Sequence, residues 1–568
     1  MTRLPARPNL GPLKKSTLGP LKRPNLGQLK KQAKDLLTLY RNGDAEAAER
    51  IRAALAGRFD GNLRLHDAQS CIAREHGFKS WTELRSFVAA REEAGADPSA
   101  LLRRLCHLIY AGDIAGGTGR AQPEVAARML DDNPSLGGDD PYFACAVGDT
   151  ETLARETARN PAWVNRPGGP LALPPLVAVT QSSLIRLPAY RDHLRAAAQA
   201  LLEAGADPNQ TVASRWSTTL DAPLEAFPLS ALYGAAGQNH DPILTQLLLE
   251  HGANPNDGES LYHGLESPDC TRLLLAAGAR ITGTNALYRA LDLDDVTPLT
   301  LLLANGGDAN EPAPGPPTSD WGAPLLWAIR RRRSPAHFKA LLVAGANPSA
   351  RTSRGESAVT LALKFGLPEV AQLLREAGAD ESMLSLEDAF VAACARGDEA
   401  AARACLAQRP DLVRSLSERQ QSYLPALAAE GAGEAVRLMV RLGWPIDVRG
   451  GDWSASALNH AVFHGDAALV RFLMEHGARW TEAHGFGDTV LGTLAWASCN
   501  TPVAGGDWPA CAEVLQAYGL PEAKPDPAGP DWVILDGVRR RFSEDVAEIL
   551  LTPPAVGEGQ VAGEGGGG

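Results

Sequence analysis

Long apolar runs, paired cysteines and catalytic signatures are all missing from this sequence of 568 residues. No stretch approaches the ~20 apolar residues that a membrane-spanning helix requires, and the first residues lack the apolar core of a signal peptide. The eight cysteines contain no C-x-x-C pair, which favours buried, reduced thiols over a metal or disulfide site. We therefore expect a soluble protein in a reducing, cytoplasmic setting.

Sequence patterns with known chemistry are absent as well. The glycine-rich segment 112–119 lacks the Lys-Ser/Thr pair with which a P-loop binds phosphate and Mg²⁺. There is no H-E-x-x-H motif and no G-x-S-x-G motif, and the twelve histidines are scattered. We expect no enzymatic activity, no cofactor, no metal and no small-molecule substrate.

Aromatic residues are scarce, at 6% of the chain, although 44% of residues are hydrophobic. Leu, Ala and Gly therefore supply much of the apolar content, a balance that suits closely stacked helices. The chain is too long for one core, so it forms either several domains or an elongated repeat array. Its composition excludes a largely disordered protein.

Positive charge is concentrated near the N-terminus. Residues 1–90 contain 17 Lys and Arg against 8 Asp and Glu, whereas the whole chain carries a net charge of −12. The acidic remainder argues against nucleic-acid binding by the main body. Residues 1–27 are a basic leader, and its motif L-G-P-L-K-K at 10–15 recurs as L-G-P-L-K-R at 18–23 and as L-G-Q-L-K-K at 26–31. Two interpretations remain open for this leader: a disordered extension, or a tether to an anionic surface.

Residues 28–92 have the pattern of a small helical module. Apolar residues recur at helical spacing from Leu29 to Tyr40, and Asn42-Gly43 follows as a stop signal. A second helix is predicted over Ala45–Leu55. Ser80 and Glu83 have the spacing of a capping box at the start of a later helix.

A repeat of about 33 residues begins beyond residue 100. Each copy opens with a motif of the type T-P-L-H-x-A and closes with L-L-x-x-G-A-D about twenty residues later. The closing glycines Gly345 and Gly378 are 33 residues apart, and Gly443 and Gly477 are 34 apart. The clearest openings are Ser230–Ala236, Ala323–Ala328, Ser357–Ala362 and Ser456–Ala461.

These motifs resemble the ankyrin repeat over residues 102–519, about three quarters of the chain. The resemblance implies an all-α fold, an ankyrin-repeat solenoid of stacked antiparallel helix pairs with short hairpin loops, in about ten to twelve repeats. The module at 28–92 is similar to one that often precedes ankyrin arrays in bacterial proteins, so a bacterial origin is expected. Residues 520–552 are then a C-terminal capping segment, and the Gly-rich residues 553–568 are expected to be disordered.

Unusual spacings and charge runs mark four further segments. About ten extra residues near 181–190, and a similar number near 498–506, are expected to form surface loops between the two helices of their repeats. Arg330–Arg333 is interpreted either as a solvated turn or as a contact for phosphate or an acidic peptide. A similar contact is considered for Arg539–Arg541.

The hairpins that project between repeats, here called fingers, differ in length. Twelve residues separate the closing glycine from the next helix opening in regular copies, but the interval is 25 from Gly205 to Ser230 and 17 from Gly306 to Ala323. The two fingers between these have intervals of only seven residues. Two long fingers beside two short ones predict a notch.

Five aromatic residues around this notch are the predicted partner contacts. Trp216 and Trp321 lie in the long fingers, and Tyr233, Tyr262 and Tyr288 stand near the helix openings, where the ankyrin motif has His. Trp and Tyr often anchor interfaces because they bury a large area at a small entropic cost. The alternative is that the tyrosines replace a structural His and the long loops are neutral insertions.

The resemblance implies a protein-binding scaffold or regulator. Two other hypotheses remain: a bacterial effector that acts on host proteins, and a binder of nucleic acid or an anionic surface through the basic leader. The identity of the partner, the biological process and the oligomeric state are left open by the sequence.

Overall fold

The computed structural model describes residues 25–55, 63, 65–94, 98–117, 119–215, 228–313, 315–380, 383–527, 529 and 531–552. Contacts between residues divide the chain into an N-terminal unit, Met1–Pro314, and a C-terminal unit, Gly315–Gly568. Both units consist of stacked antiparallel helix pairs, so the predicted all-α solenoid is confirmed. Most of the basic leader and the whole Gly-rich tail lie outside the described residues.

Within the described residues of the N-terminal unit, four helices precede the repeats. They span Leu26–Arg41, Ala45–Ala54, Leu65–Glu75 and Trp81–Ala94. The first begins at Leu26 because the Asn25 side chain accepts a hydrogen bond from the Gly27 N–H and caps it. Gly43, with φ +81°, follows the end of this helix, as the Asn42-Gly43 signal predicts.

Six helix pairs follow in the described part of the N-terminal unit. The first helices of the pairs are Pro98–Ile109, Pro141–Val147, Pro175–Thr180, Ala231–Tyr233, Ser260–Gly264 and Ala286–Asp292. The second helices are Pro123–Asp132, Thr150–Arg159, Pro188–Glu203, Pro242–Glu250, Pro268–Ala276 and Thr297–Ala304. Shorter elements are the helix Gly112–Ala115, the 3₁₀ turns Pro161–Asn165 and Ser183–Arg186, the π-helical turn Gly234–Gln238, and the antiparallel strands Thr211–Ala213 and Pro228–Ser230.

The C-terminal unit also contains six helix pairs within its described residues. Its first helices are Pro324–Arg330, Ala358–Lys364, Leu386–Ala395, Tyr423–Ala429, Ala457–His464 and Val490–Asn500. Its second helices are Pro335–Val343, Pro368–Glu376, Glu399–Gln408, Gly433–Arg441, Ala467–Glu475 and Trp508–Ala517. Shorter elements are the 3₁₀ turn Thr318–Asp320, the helices Leu412–Ser415 and Glu418–Gln421, and the antiparallel strands Arg449–Gly450 and Ala455–Ser456.

A small β-sheet ends the C-terminal unit, and the sequence did not predict it. Three antiparallel strands, Lys524–Pro525, Trp532–Leu535 and Val538–Arg541, are followed by the helix Glu544–Leu551. This last helix packs on the helix Trp508–Ala517 of the final pair. The sheet and helix therefore cover the apolar end of the stack, which would otherwise face solvent.

A glycine in the left-handed conformation closes most of the second helices, as the repeat motif predicts. At Gly378 φ is +87°, the Gly378 N–H bonds to the Arg375 carbonyl, and the next N–H, of Ala379, reaches back to the Leu374 carbonyl at 2.9 Å. These two bonds satisfy carbonyl groups that the helix end leaves open. The equivalent glycines, with φ between 83° and 97°, are Gly205, Gly252, Gly278, Gly306, Gly345, Gly443, Gly477 and Gly519.

Asparagine side chains connect successive repeats of the N-terminal unit. In each case the amide N–H donates to the closing glycine carbonyl of the next repeat, and the amide oxygen accepts the backbone N–H two residues further on. Asn209, for example, bonds the Gly252 carbonyl at 3.3 Å and the Asn254 N–H at 2.8 Å. Asn165 and Asn256 make the same pair of bonds. These asparagine hydrogen bonds fix the distance between neighbouring helix pairs.

One of the two predicted insertions folds inward. Residues 181–185 are buried, so the expectation of a surface loop near 181–190 is wrong there. The Ser182 hydroxyl donates to the Ala146 carbonyl at 2.7 Å, and the Ser183 hydroxyl donates to the Ile109 carbonyl. These bonds, together with the burial of Leu184 and Ile185, hold the segment against the preceding repeats. The other insertion lies at the surface from 499 to 506, as expected.

The cysteines are unpaired, and six of the eight are buried. Cys405 is half-buried and Cys499 is exposed, so the expectation of buried thiols is wrong for Cys499. Burial raises the pKa of the buried thiols, for example that of Cys71 to about 12. No helix in the described ranges is both long and apolar enough to cross a membrane.

We predict that Gly378→Val lowers the free energy of unfolding by about 1–2 kcal/mol. A Cβ atom at Gly378 meets nothing within 4 Å, so the loss reflects backbone strain at φ +87° and no clash. Gly315→Val is the control, because this position is equally open and lies outside the left-handed region. Urea denaturation measures both variants, and equal losses would show that the left-handed cap is not the cause.

Candidate partner-binding surface

Two of the predicted contact residues, Tyr233 and Tyr288, are buried in the N-terminal unit. Only 6% of Tyr233 and 2% of Tyr288 are exposed. The Tyr233 hydroxyl donates to Asp113 Oδ2 at 3.1 Å, and the Tyr288 hydroxyl donates to the Glu311 carbonyl at 2.7 Å. Desolvation raises the pKa of both phenols, so they remain neutral donors. Little of either side chain is left for a partner to contact.

Tyr262 is the most accessible of the three tyrosines. It is half-buried, with its ring 5.0 Å from the His263 ring and the Arg289 guanidinium 5.5 Å from its centroid. Arg289 in turn pairs with Glu266 at 2.6 Å. Trp216 lies outside the described residues, so its predicted role stays a prediction.

Trp321, in the C-terminal unit, is half-buried and packs against its own repeats. Its ring meets Phe365 edge-on at 5.9 Å, and the Arg330 guanidinium lies 5.9 Å from its centroid. Phe365 also contacts Tyr423 at 5.2 Å. Trp321 therefore covers a polar and aromatic interior, and only part of it faces solvent.

A partly buried ion cluster centred on a buried arginine, here called the Arg330 cluster, lies beneath Trp321. It consists of Arg330, Arg331, Glu430 and Asp452. Arg330 is 2% exposed and bonds Glu430 at 2.8 Å and Asp452 at 3.3 Å, while Arg331 bonds the same two carboxylates at 3.2 and 2.9 Å. The two cations and two anions balance, as buried charges must. The interpretation of Arg330 as part of a solvated turn is therefore wrong.

The Arg330 cluster joins repeats that are not neighbours. Arg330 ends the first helix of the first pair in this unit, Glu430 follows the first helix of the fourth pair, and Asp452 lies in the finger of the fifth. A solenoid repeat normally contacts only its neighbours. The charges of Arg330 and Arg331 are therefore compensated by carboxylates of the protein itself.

The second arginine run is also paired within the protein. Arg539, Arg540 and Arg541 form ion pairs with Asp526, Asp488 and Asp531, respectively.

Four aromatic rings form a continuous row on the fingers and first helices of the last two repeats. This aromatic strip consists of Trp453, Phe463, Phe486 and Trp496. Trp453 stacks on Phe486 at 6.4 Å and contacts Phe463 at 5.9 Å, and Phe463 stacks on Trp496 at 5.7 Å with only 9° between the planes. Phe486 is 81% exposed and Trp496 is 44% exposed. The strip is therefore apolar, ordered and accessible at both ends.

The two fingers that carry the strip are fixed to each other and to the helices behind them. The Gly485 N–H donates to the Trp453 carbonyl at 2.9 Å, and a Cβ atom at Gly485 would stand 2.7 Å from that oxygen. Gly451 similarly allows His460 to approach, because a Cβ atom there would lie 2.8 Å from His460 Nε2. Trp453 also packs edge-on against His460 and His484 at 4.8 and 5.3 Å. The rings are thus positioned before any partner binds.

Sequence reasoning missed this strip because it looked for long fingers, and the finger from Gly477 to Thr489 has the regular length. A usable signal was present nonetheless. Phe486 lies between Gly485 and Gly487, and Trp453 closely follows Gly450-Gly451. A large aromatic side chain in a glycine-rich turn lies outside the helical core, so this pattern indicates an exposed ring.

Among the described residues, no group of His, Cys, Asp and Glu could hold a metal ion.

We predict that Arg330→Met lowers the free energy of unfolding by about 3 kcal/mol, because it removes one of the two cations from the nearly inaccessible Glu430 carboxylate and from Asp452. Arg354→Met is the control, since Arg354 is exposed in another finger of the same unit. We expect its effect to stay within about 0.5 kcal/mol. Chemical denaturation measures both variants, and equal effects would contradict a structural role for the cluster.

We predict that His460 makes folding less favourable as the pH falls. Desolvation lowers the pKa of His460 from 6.5 to about 3 in the folded protein. Between these two values the unfolded chain binds a proton that the folded chain does not, so stability decreases as the pH drops from 6.5 towards 3. His460→Gln should reduce this slope, whereas replacement of the exposed His476 by Gln should not. Unfolding curves measured across this range test the assignment, which fails if both variants keep the full slope.

No family model and no curated protein matches the chain. Among solved structures, the chain is similar to the crystal structure of the human ASB11 ankyrin repeat domain. The two are 18% identical, the match covers 41% of this chain and 98% of that chain, and the TM-score is 0.20. At this identity and score the similarity carries no inference about function, so the fold rests on the helix pairs, glycine caps and fingers of the structure itself.

Proposed function

We propose that this protein is a non-catalytic scaffold or regulator that binds another protein through the aromatic strip. The observation that supports the proposal is the exposure of Phe486 and Trp496 at the two ends of one ordered row of rings. Exposed contiguous apolar surface is unfavourable in water and marks interaction sites on folded proteins. Aromatic residues are also those that most often carry binding energy.

The polar and aromatic residues around Trp321 differ from the strip, and this difference supports placing the binding site at the strip. Arg330 and Lys364 are buried and pair with Glu430 and Glu356, respectively, and Phe365 and Tyr423 are buried beneath Trp321. These groups already have internal partners. The strip differs because its rings end in solvent, so a bound protein would gain apolar contact there without breaking ion pairs.

The proposal includes a bacterial and cytoplasmic setting. The unpaired cysteines and the four-helix module before the repeats support it. The identity of the partner follows from neither feature.

We predict that Phe486→Ala/Trp496→Ala weakens binding of a protein partner by about 2 kcal/mol or more. Phe486 is largely exposed and Trp496 is about half exposed, so their removal should lower the melting temperature only slightly. Val343→Ala/Met383→Ala is the matched control, because these residues are 90% and 99% exposed and lie away from the strip. The partner is captured from lysate on the full chain and its affinity for each variant is measured. Equal affinity for all three proteins would contradict this placement.

Trp216 and Trp321, in the two long fingers, are a second candidate contact for the partner. Replacement of both by Ala should weaken partner binding by about 2 kcal/mol if the long fingers contact the partner. Trp321 packs on Phe365 and Arg330, so we now expect this variant to lower the melting temperature as well. Affinity and melting must therefore be measured together.

A further inference from the structure

The charges beside the aromatic strip are unevenly compensated. Asp452, in the same turn as Trp453, pairs with Arg330 and Arg331. Asp488, two residues after Phe486, receives two bonds from the Arg540 guanidinium, at 3.0 and 2.5 Å. Both carboxylates next to the exposed rings are therefore neutralised by arginines of the protein itself.

Arg449 is the exception. It is exposed in the finger that carries Trp453, and its Nε–H donates to the Ser454 carbonyl at 2.9 Å. No carboxylate among the described residues forms an ion pair with it. Its side chain lies at the strip, because Ser454 directly follows Trp453 and the Trp453 carbonyl accepts a bond from the N–H of Gly485, next to Phe486. The strip thus carries one uncompensated positive charge at the end where Phe486 is exposed.

We propose that the strip binds an extended peptide segment of a partner protein in which an aromatic or branched aliphatic side chain is followed closely by an Asp or Glu. The apolar side chain packs on Phe486 and Trp453, and the carboxylate pairs with Arg449. This inference rests on the proposed protein-binding function and specifies the chemistry of the partner. Guanidinium and carboxylate pair through charge-assisted hydrogen bonds, which give specificity as well as energy.

Two other occupants are disfavoured. The chain carries a net charge of −12, which opposes the approach of nucleic acid, although exposed rings could stack on bases. A two-fold contact between copies of this chain would bring a second Arg449 into the same interface, with no acid there to compensate it. A single row of rings is also narrow, and this matches an extended segment better than a broad folded surface.

A displayed library of short random peptides tests the proposal on the full chain. The library is selected on the wild-type protein without counter-selection, and fluorescence anisotropy then gives the affinity of each enriched peptide for the wild type and for Phe486→Ala/Trp496→Ala. We expect peptides that combine an aromatic or aliphatic residue with an acid. Arg449→Glu should weaken them by about tenfold, whereas Arg354→Glu, at an exposed arginine of another finger, should have little effect.

Removal of the acid from the peptide distinguishes a direct contact with Arg449 from a long-range electrostatic effect. Replacement of the peptide acid by its amide should cost the same factor with wild-type protein and nothing further with Arg449→Glu, as in a double-mutant cycle. Additive losses would overturn the contact.

Several other results would overturn the inference in distinguishable ways. Enriched peptides without an acid would refute the charge element alone. Peptides that bind the Phe486→Ala/Trp496→Ala variant equally well would refute the strip and leave protein binding elsewhere on the chain as the function. Tight binding of a single-stranded oligonucleotide to the strip, or strip-dependent self-association in analytical ultracentrifugation, would replace the peptide by another occupant. If the full chain binds neither a selected peptide nor any protein from lysate, the proposed function fails as well.

Discussion

The left-handed glycine that closes the second helix is the constraint on which most of the repeats depend. It turns the chain sharply enough for the following finger to project, and its two backward hydrogen bonds leave few open carbonyl groups at the helix end. In the N-terminal unit the carbonyl of this same glycine accepts the asparagine bond from the preceding repeat. One backbone position therefore ends a helix, directs a finger and sets the spacing between pairs.

Contacts between distant repeats add a second level of organisation within the C-terminal unit. A stack held only by neighbours is stabilised by a sum of local terms and bends easily. Arg330 instead bonds Glu430, which is 100 residues away, inside a site where both side chains are nearly inaccessible. Such a cluster contributes little net stability when intact but is costly to break, so its effect is to hold one arrangement of the repeats. This rigidity also fixes the finger that contains Asp452 and hence Trp453 of the strip.

Burial divides the aromatic residues into two groups with different roles. Tyr233, Tyr288 and Tyr423 are buried, and Tyr233 and Tyr288 bond acceptors from other segments of the N-terminal unit, so they stabilise contacts between repeats. Phe486 and Trp496 keep much of their surface in water, although neighbouring rings hold them in place. Order combined with exposure is what a binding surface requires, because a partner then loses little conformational entropy on the receptor side.

The sequence by itself determined the repeat, the helix pairs, the glycine caps and the absence of a membrane-spanning helix in the described chain. These features follow from local rules, since helical periodicity and a residue with positive φ act within one repeat. It did not determine that residues 181–185 turn inward, that Arg330 is buried, or that Tyr233 bonds Asp113, which lies 120 residues earlier. Only the tertiary structure decided these, and the aromatic strip with them, because each depends on how far the stack curves and on which distant side chain is then within reach.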